Sequence, residues 1–118
     1  MSRFFTIRTG DRRPYFGYKF GFSLVGAVGV TFSAREEPSK VLFIDRQPAI
    51  IANGTYTVDG VAVPYAPADG VAFYPWAAID TATPRKSAFG LFHIDWGGGL
   101  QESMPSEGYE KFIIAENF

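Results

Sequence analysis

The sequence predicts an all-β fold, an antiparallel β-sandwich. Short runs of β-branched and aromatic residues recur along the chain, separated by Gly, Pro and Asn-Gly or Asp-Gly dipeptides. No stretch of a dozen residues keeps apolar positions at helical spacing without an intruding Gly or Pro. The length of 118 residues suits one hydrophobic core, so we expect residues 1–118 to form a single domain. Many short strands at this size favour a sandwich over a barrel.

Ten segments have strand character. The clearest is 29–35, where Val30, Phe32 and Ala34 alternate with polar residues, as in a half-buried strand. Gly17 lies inside a longer aromatic segment and predicts a bulge or a strong twist. The predicted strands are 4–8, 15–24, 29–35, 41–45, 55–58, 61–63, 71–76, 88–96, 100–104 and 109–115.

Glycine and proline predict how these strands end. The dipeptide Asp59-Gly60 predicts a hairpin between its two flanking strands, and the run Gly97-Gly98-Gly99 predicts another. Pro75 has no N–H for a sheet ladder, so it marks an edge or the end of its strand. Residues 77–87 lack strand character and are predicted to form a longer surface loop.

Aromatic content and charge distribution are the unusual features of the composition. The chain has 12 Phe, 6 Tyr and 2 Trp, and rings serve both cores and protein interfaces. Residues 1–46 hold eight Lys and Arg against four Asp and Glu, whereas 47–118 hold three against eight. Two interpretations of this asymmetry stay open: solvated faces, or complementary patches that meet between neighbouring subunits.

The composition also limits the classes of function. A net charge of −1 does not favour a general nucleic-acid binder, and the lack of cysteine excludes disulfides and thiolate metal sites. The most apolar early stretch, 24–30, is too short for a membrane span and contains two glycines. No secretory signal is evident at the N-terminus. We expect a protein that is made in the cytoplasm and does not enter a membrane.

Residue types that carry catalysis are sparse. His93 is the single histidine, and Ser87 and Asp95 are its nearest possible triad partners in sequence. The strained Gly-x-Ser-x-Gly turn of a serine nucleophile does not occur. Asp59 and Asp69 are the best candidates for a hard cation, but the other acids are scattered. We therefore expect no enzyme activity, no metal and no cofactor.

One aromatic segment has a partial likeness to an RNA-binding strand. Residues 18–22 read Tyr-Lys-Phe-Gly-Phe, but that motif needs glycine directly after the basic residue, where Phe20 stands. It also belongs on a sheet backed by helices, which this sequence does not predict. Single-strand binding stays open as a weaker hypothesis because the first half of the chain is basic.

Four segments, taken in order, resemble the N-terminal domain of siphophage upper-baseplate proteins and related tail-fibre or neck adaptors. The first is similar to that family's opening strand and Gly-Asp-Thr-x-Pro turn, with Arg12 where Thr is usual. The third carries Tyr74, Trp76 and Asp80-Thr81, which resemble the family's Tyr-x-Trp and Asp-Thr signature. The other two resemble its central and closing strands. The segments are 7–14, 30–35, 71–81 and 89–114.

The resemblance implies an immunoglobulin-like sandwich that attaches one part of a virion to another and carries no catalytic residue. Relative to the family, residues 53–70 look like an added hairpin. Family members usually continue into receptor-binding or fibre-anchoring regions, whereas this chain stops at Phe118, which favours docking over host recognition.

The function expected from the sequence is therefore that of a bacteriophage virion structural adaptor at the tail, baseplate, neck or head. Its partners would be other virion proteins and further copies of itself in a symmetric assembly. The alternative is a binding module for host surface glycans that uses Tyr74, Trp76 or Trp96. Exposed rings and two arginines are the candidate partner contacts: Phe4, Phe5, Arg12, Arg13, Tyr15, Tyr18, Trp76 and Phe118.

Overall fold

The chain folds into two packed β-layers. The computed structural model describes residues 5–13, 15–58, 60–105 and 110–117. Two short 3-10 helices, Pro67–Asp69 and Ala78–Thr81, are the helical elements in these ranges. The strands are β1 Phe5–Arg8, β2 Phe16–Lys19, β3 Gly29–Glu36, β4 Val41–Ile51, β5 Gly54–Val58, β6 Val61–Tyr65, β7 Val71–Tyr74, β8 Arg85–Gly97, β9 Leu100–Met104 and β10 Glu110–Ala115.

One continuous sheet supplies both layers because β4 passes from one to the other. The strand order is β1-β10-β8-β3-β4-β7-β2, and β9 pairs with the second half of β8. Residues 41–49 of β4 pair with β3, whereas Ile50 and Ile51 pair with β7. The main layer therefore holds β1, β10, β9, β8, β3 and most of β4, and the small layer holds β7, β2 and the end of β4.

The strand order is that of an immunoglobulin-like sandwich. In a variable-type domain the strands G, F, C and C′ are neighbours, and strand B lies beside strand E in the opposite sheet. Here β10, β8, β3 and β4 correspond in order to strands G, F, C and C′. Strands β2 and β7 correspond to B and E. All pairs are antiparallel except β1 with β10. The predicted all-β antiparallel sandwich is confirmed.

The space between the layers is filled mainly by rings. Phe16 of the small layer contacts Phe32, Phe92 and Phe112 of the main layer, with ring centroids 5.3–6.0 Å apart. These main-layer rings point inward because each lies at an alternate position of its strand, as the period-two pattern requires. The buried apolar residues are Ile7, Phe16, Phe20, Leu24, Val30, Phe32, Ala34, Ile44, Ala52, Val71, Ala72, Tyr74, Trp76, Ala88, Phe92, Ile94, Phe112 and Ile114.

Both predicted hairpins are present. Strands β5 and β6 pair only with each other, and they pack on the outside of the small layer through Tyr56, Tyr65 and Phe73. In the second hairpin all three turn glycines have positive φ, from 62° to 86°, which only glycine adopts readily in succession.

Several boundary predictions are wrong. The predicted strand 41–45 is too short, because β4 continues to Ile51 and pairs there with β7. The predicted strand 15–24 ends at Lys19, because the chain leaves the sheet at Gly21, whose φ is 85°. The predicted loop 77–87 is shorter than expected, because Ala78–Thr81 forms a 3-10 helix and β8 already begins at Arg85.

Candidate functional site

The rings that were predicted to face a partner are largely part of the core. Trp76 is 1% exposed and packs against Phe5, Phe16 and Phe112, so the prediction of an exposed Trp76 is wrong. Pro75 ends the strand just before Trp76, and the tryptophan then turns inward to close the core. Tyr74 is buried too, which removes two of the three rings proposed for glycan binding.

The remaining predicted contact residues have different environments. Phe5 and Tyr18 are half-buried and pack against the core, and Tyr15 is half-buried beneath the guanidinium of Arg13. The third glycan ring, Trp96, is half-buried and donates its indole N–H to a carboxylate oxygen of Glu102. The predicted contacts Phe4 and Phe118 lie outside the described residues, as does the cation-site candidate Asp59.

The Tyr-x-Trp and Asp-Thr residues form a structural corner at one end of the sandwich. The Tyr74 hydroxyl donates to Oδ2 of Asp80, and the Thr81 hydroxyl donates to the Asp11 carbonyl at 2.9 Å. Arg12 donates from Nε to the Trp76 carbonyl at 3.0 Å. The bonds of Thr81 and Arg12 attach the turn after β1 to the segment after β7, and the bond of Tyr74 holds that segment to β7, so the motif serves the fold.

We call this end of the sandwich the proximal end; it comprises residues 8–13, 36–42, 75–86 and 115–117. Three aliphatic side chains there, Val41, Leu42 and Ile79, are each more than half exposed. Glu36 and Glu37 are paired with Arg85 and Arg35. The exposed charged side chains of this end are five cations and two carboxylates: Arg8, Arg12, Arg13, Lys40 and Lys86, with Asp11 and Glu116.

The opposite end carries a second group of exposed aliphatic side chains. We call it the distal end; it comprises residues 19–28, 51–54, 66–70 and 95–102. Val25, Val28 and Leu100 are each about two-thirds exposed. Val28 and Leu100 flank one turn, because Val28 N–H donates to the Asp95 carbonyl and Leu100 pairs with Gly97. Val25 also borders a largely apolar cavity of about 310 Å³, which is lined by Leu24, Val25, Gly26, Ala27, Ile51, Asn53 and Pro67.

Charge at the distal end has the opposite sign. Its exposed charged side chains are three carboxylates, Asp69, Asp95 and Glu102, and one ammonium, Lys19. The charge asymmetry between the two halves of the sequence therefore becomes an asymmetry between the two ends of the folded domain. The sequence showed the charge asymmetry between its two halves but did not predict how the charges divide between the ends, and the exposed aliphatic residues were missed. The feature of the sequence that could have predicted them is the presence of β-branched residues beside Gly26 and Gly29. These residues lie in a loop rather than a strand.

The single histidine lies on the outer face of the main layer. His93 is 8% exposed, and its Nδ1 lies 3.0 Å from the Ser103 hydroxyl on β9. Burial lowers the pKa of His93, the positive charge of Arg46 lowers it further, and Asp45 opposes both. The histidine is therefore paired with Ser103 rather than with Ser87 as the triad interpretation required, and cross-strand pairing on β8 and β9 explains the contact.

A cleft of about 470 Å³ lies between the β5–β6 hairpin and β2. Its walls combine rings, one ammonium and one carboxylate, and it is lined by Gly17, Tyr18, Lys19, Pro64, Tyr65, Asp69, Val71 and Phe73. The Asp69 carboxylate accepts a hydrogen bond from Ala66 N–H at 2.7 Å. Within the described ranges no three His, Asp or Glu side chains are grouped as metal ligands. No described helix is long and apolar enough to cross a membrane.

The chain matches no protein-family model, no curated protein and no solved structure. The resemblance to phage adaptors therefore stands on the four sequence segments alone.

Proposed function

We propose that this chain is a non-catalytic docking domain that attaches one structural component of a phage particle to another. The observation that carries the proposal is the pair of unlike ends. Each end has three exposed aliphatic side chains, with excess cations around the proximal group and excess carboxylates around the distal group. Exposed apolar side chains within a charged rim are typical of protein contact surfaces.

Unlike ends favour a head-to-tail contact between copies of the chain. A surface that joins proximal to distal ends is heterologous, and such contacts close into rings when the rotation between subunits allows. Opposite charges would steer the ends together, and salt would weaken this attraction because exposed charges are screened. Repeated copies on a symmetric platform are the arrangement expected of a baseplate, neck or tail component.

The phage assignment rests on the resemblance in sequence. Its support from the fold is indirect: the resemblance implies an immunoglobulin-like sandwich, and β2, β3, β7, β8 and β10 have that order. The non-catalytic part of the proposal is supported by His93, whose contact with Ser103 is explained by pairing between adjacent strands. Glycan binding is not favoured, because Tyr74 and Trp76 are buried and Trp96 is bonded to Glu102.

Sedimentation analysis of the purified chain tests the docking role. We expect concentration-dependent association at low salt that weakens as salt rises. Val28→Lys or Leu100→Lys should weaken association at least tenfold, because each places a cation in the distal apolar group, where it would meet the cations of the proximal end. Val61→Lys is the matched control, since Val61 is similarly exposed but lies on the β5–β6 hairpin. A chain that stays monomeric at millimolar concentration, or a Val61 variant with the same defect, would contradict the head-to-tail contact.

The phage assignment has its own test. Particles purified from a lysate of the host that carries the gene should contain the chain in a fixed ratio to the major structural proteins, measured by quantitative mass spectrometry. Its absence from intact particles would overturn the assignment and leave the docking surfaces unaffected.

A further inference from the structure

In the described part of the chain, no strand lies beside the outer edge of β2. Within the described residues β2 pairs only with β7, so one side of Phe16–Lys19 is an open edge. We infer that this edge is an acceptor site for an extended, acidic segment of a partner protein. The inference goes beyond the docking ends proposed above and does not depend on the partner being a virion component.

The register identifies the backbone groups that face outward. Phe20 N–H donates to the Gly70 carbonyl at 2.8 Å, which makes this position a hydrogen-bonded pair of the antiparallel ladder. Such pairs alternate along a ladder, so Tyr18 and Phe16 also bond toward β7. The N–H and C=O groups of Gly17 and Lys19 therefore point to the open edge, where an added strand would bond them.

The immunoglobulin-like order shows which strand is lacking. In that fold the sheet that holds strands B and E has strand A on the outer side of B. Here β2 and β7 are B and E, but β1 pairs with β10 in the main layer instead. The position beside β2 is thus one that the fold can fill, and a strand supplied by another chain would complete the small layer.

The cleft beside this edge offers a place for a side chain. Its floor includes Gly17, where the Phe73 ring lies so close that an added Cβ would be 2.8 Å from a ring carbon. Its walls are Tyr65, Pro64 and the stem of Lys19. A strand laid along β2 would direct alternate side chains into this cleft, which is how strand addition gains specificity in addition to main-chain bonds.

Charge decides the kind of segment. Arg13 is exposed just before β2, and Lys19 is exposed at its end. Arg12 is also exposed, although its Nε is bonded to the Trp76 carbonyl. The cleft is also lined by one carboxylate, Asp69, which accepts a hydrogen bond from Ala66 N–H, so the cations Arg13 and Lys19 outnumber it by two to one. A segment with Glu or Asp side chains at positions opposite Arg13 and Lys19 would therefore be favoured over a basic one.

Two synthetic eight-residue peptides are the probes, Glu-Val-Thr-Val-Thr-Val-Glu-Thr and its twin with Lys in place of both Glu. The two Glu lie on one face of an extended strand, six positions apart as Arg13 and Lys19 are in the chain. Hydrogen exchange of the full chain, followed by NMR, should show fast exchange of the Gly17 and Lys19 amides without peptide. Millimolar acidic peptide should slow exchange at these two amides by at least tenfold, and the Lys twin should bind several-fold more weakly.

Lys19→Pro is the decisive variant, because it removes one outward N–H while the bonds from β2 to β7 stay intact. It should weaken peptide binding at least tenfold, whereas the matched Lys19→Ala, which keeps the N–H, should weaken it only a few-fold. If Lys19→Pro does not fold, the hydrogen-exchange measurements on the unmodified chain still test the inference.

Four results would overturn the inference. Two of them are equal binding of both peptides and no effect of the acidic peptide on the two amides. Another is protection of Gly17 and Lys19 in the dilute chain alone, which would mean that the chain fills its own edge. The last is protection that appears with chain concentration alone, which would make a second copy the occupant.

Discussion

The hydroxyl of Tyr74 donates a hydrogen bond of 2.5 Å to Oδ2 of Asp80, in the buried corner at the proximal end. The same oxygen accepts the Ala77 N–H at 2.8 Å, so one carboxylate oxygen holds β7 and the following 3-10 helix together. Burial raises the pKa of Tyr74 well above its usual value, and the bond to Asp80 raises it further. Tyr74 is therefore a neutral donor at physiological pH.

Removing either partner of this bond should destabilise the domain. Tyr74→Phe deletes one donor, and we expect a loss of about 1–3 kcal/mol in the free energy of unfolding. Asp80→Ala should cost more, because it leaves both the Tyr74 hydroxyl and the Ala77 N–H without their acceptor. Urea denaturation measures both, and the double variant should lose less than the sum because the residues are in contact. Additive losses would show that the bond contributes little.

His93 should make the stability of the domain fall in mild acid. Because burial and the charge of Arg46 lower its pKa, the folded state favours the neutral imidazole. The stabilisation from neutral His93 is complete above pH 6.5, which is the pKa of histidine in the unfolded chain. It is lost as the pH falls through the lower pKa of His93 in the folded state. The loss is at most about 1.4 kcal/mol per pH unit, the limit for one proton.

Urea midpoints of the parent chain and of His93→Gln, compared between pH 7.5 and 5, test this expectation. The variant should show the flatter dependence, because glutamine has no proton to gain and can still bond to Ser103. Carboxylates titrate mostly below this window and affect both proteins alike. Parallel curves for the two proteins would contradict the prediction.

Gly90 on β8 should not tolerate a side chain. A Cβ there would lie 2.6 Å from two ring carbons of Phe32, which is 0% exposed and has no room to move. We expect Gly90→Ala to cost about 1–3 kcal/mol, the usual penalty for overpacking a core. Gly29→Ala is the control, because a Cβ at that strand position meets nothing within 4 Å. In the Gly90→Ala variant, the further change Phe32→Leu should lower the free energy of unfolding by less than the same change does in the parent chain. The alanine methyl group then fills part of the space that the ring has left.

The open edge of β2 shows which features of the fold the sequence predicts and which it does not. The aromatic strand at 15–24 was predicted, but its true end at Lys19 and its open edge depend on which strand lies beside it. Likewise β1 was predicted as a strand, whereas its parallel pairing with β10 was not. Strand pairing between distant segments is a property of the whole fold, and local residue patterns do not contain it.

Trp76 shows the same limit for a single side chain. The high ring content of the chain suggested that Trp76 is a surface contact, but neighbouring rings from three different strands enclose it. The exposed aliphatic residues are the converse case, because Val25, Val28 and Leu100 lie in or beside loops where no layer covers them.

By itself the sequence determined the all-β class, the two hairpins and the inward positions of strands such as β3. Each of these depends on neighbours in the chain: glycine admits turns of positive φ, and alternation places every second side chain on one face. Tertiary structure alone decided which rings are buried, which strand edge is open and how the charges divide between the two ends. Those properties depend on contacts between residues far apart in the chain, which form only when the two layers pack together.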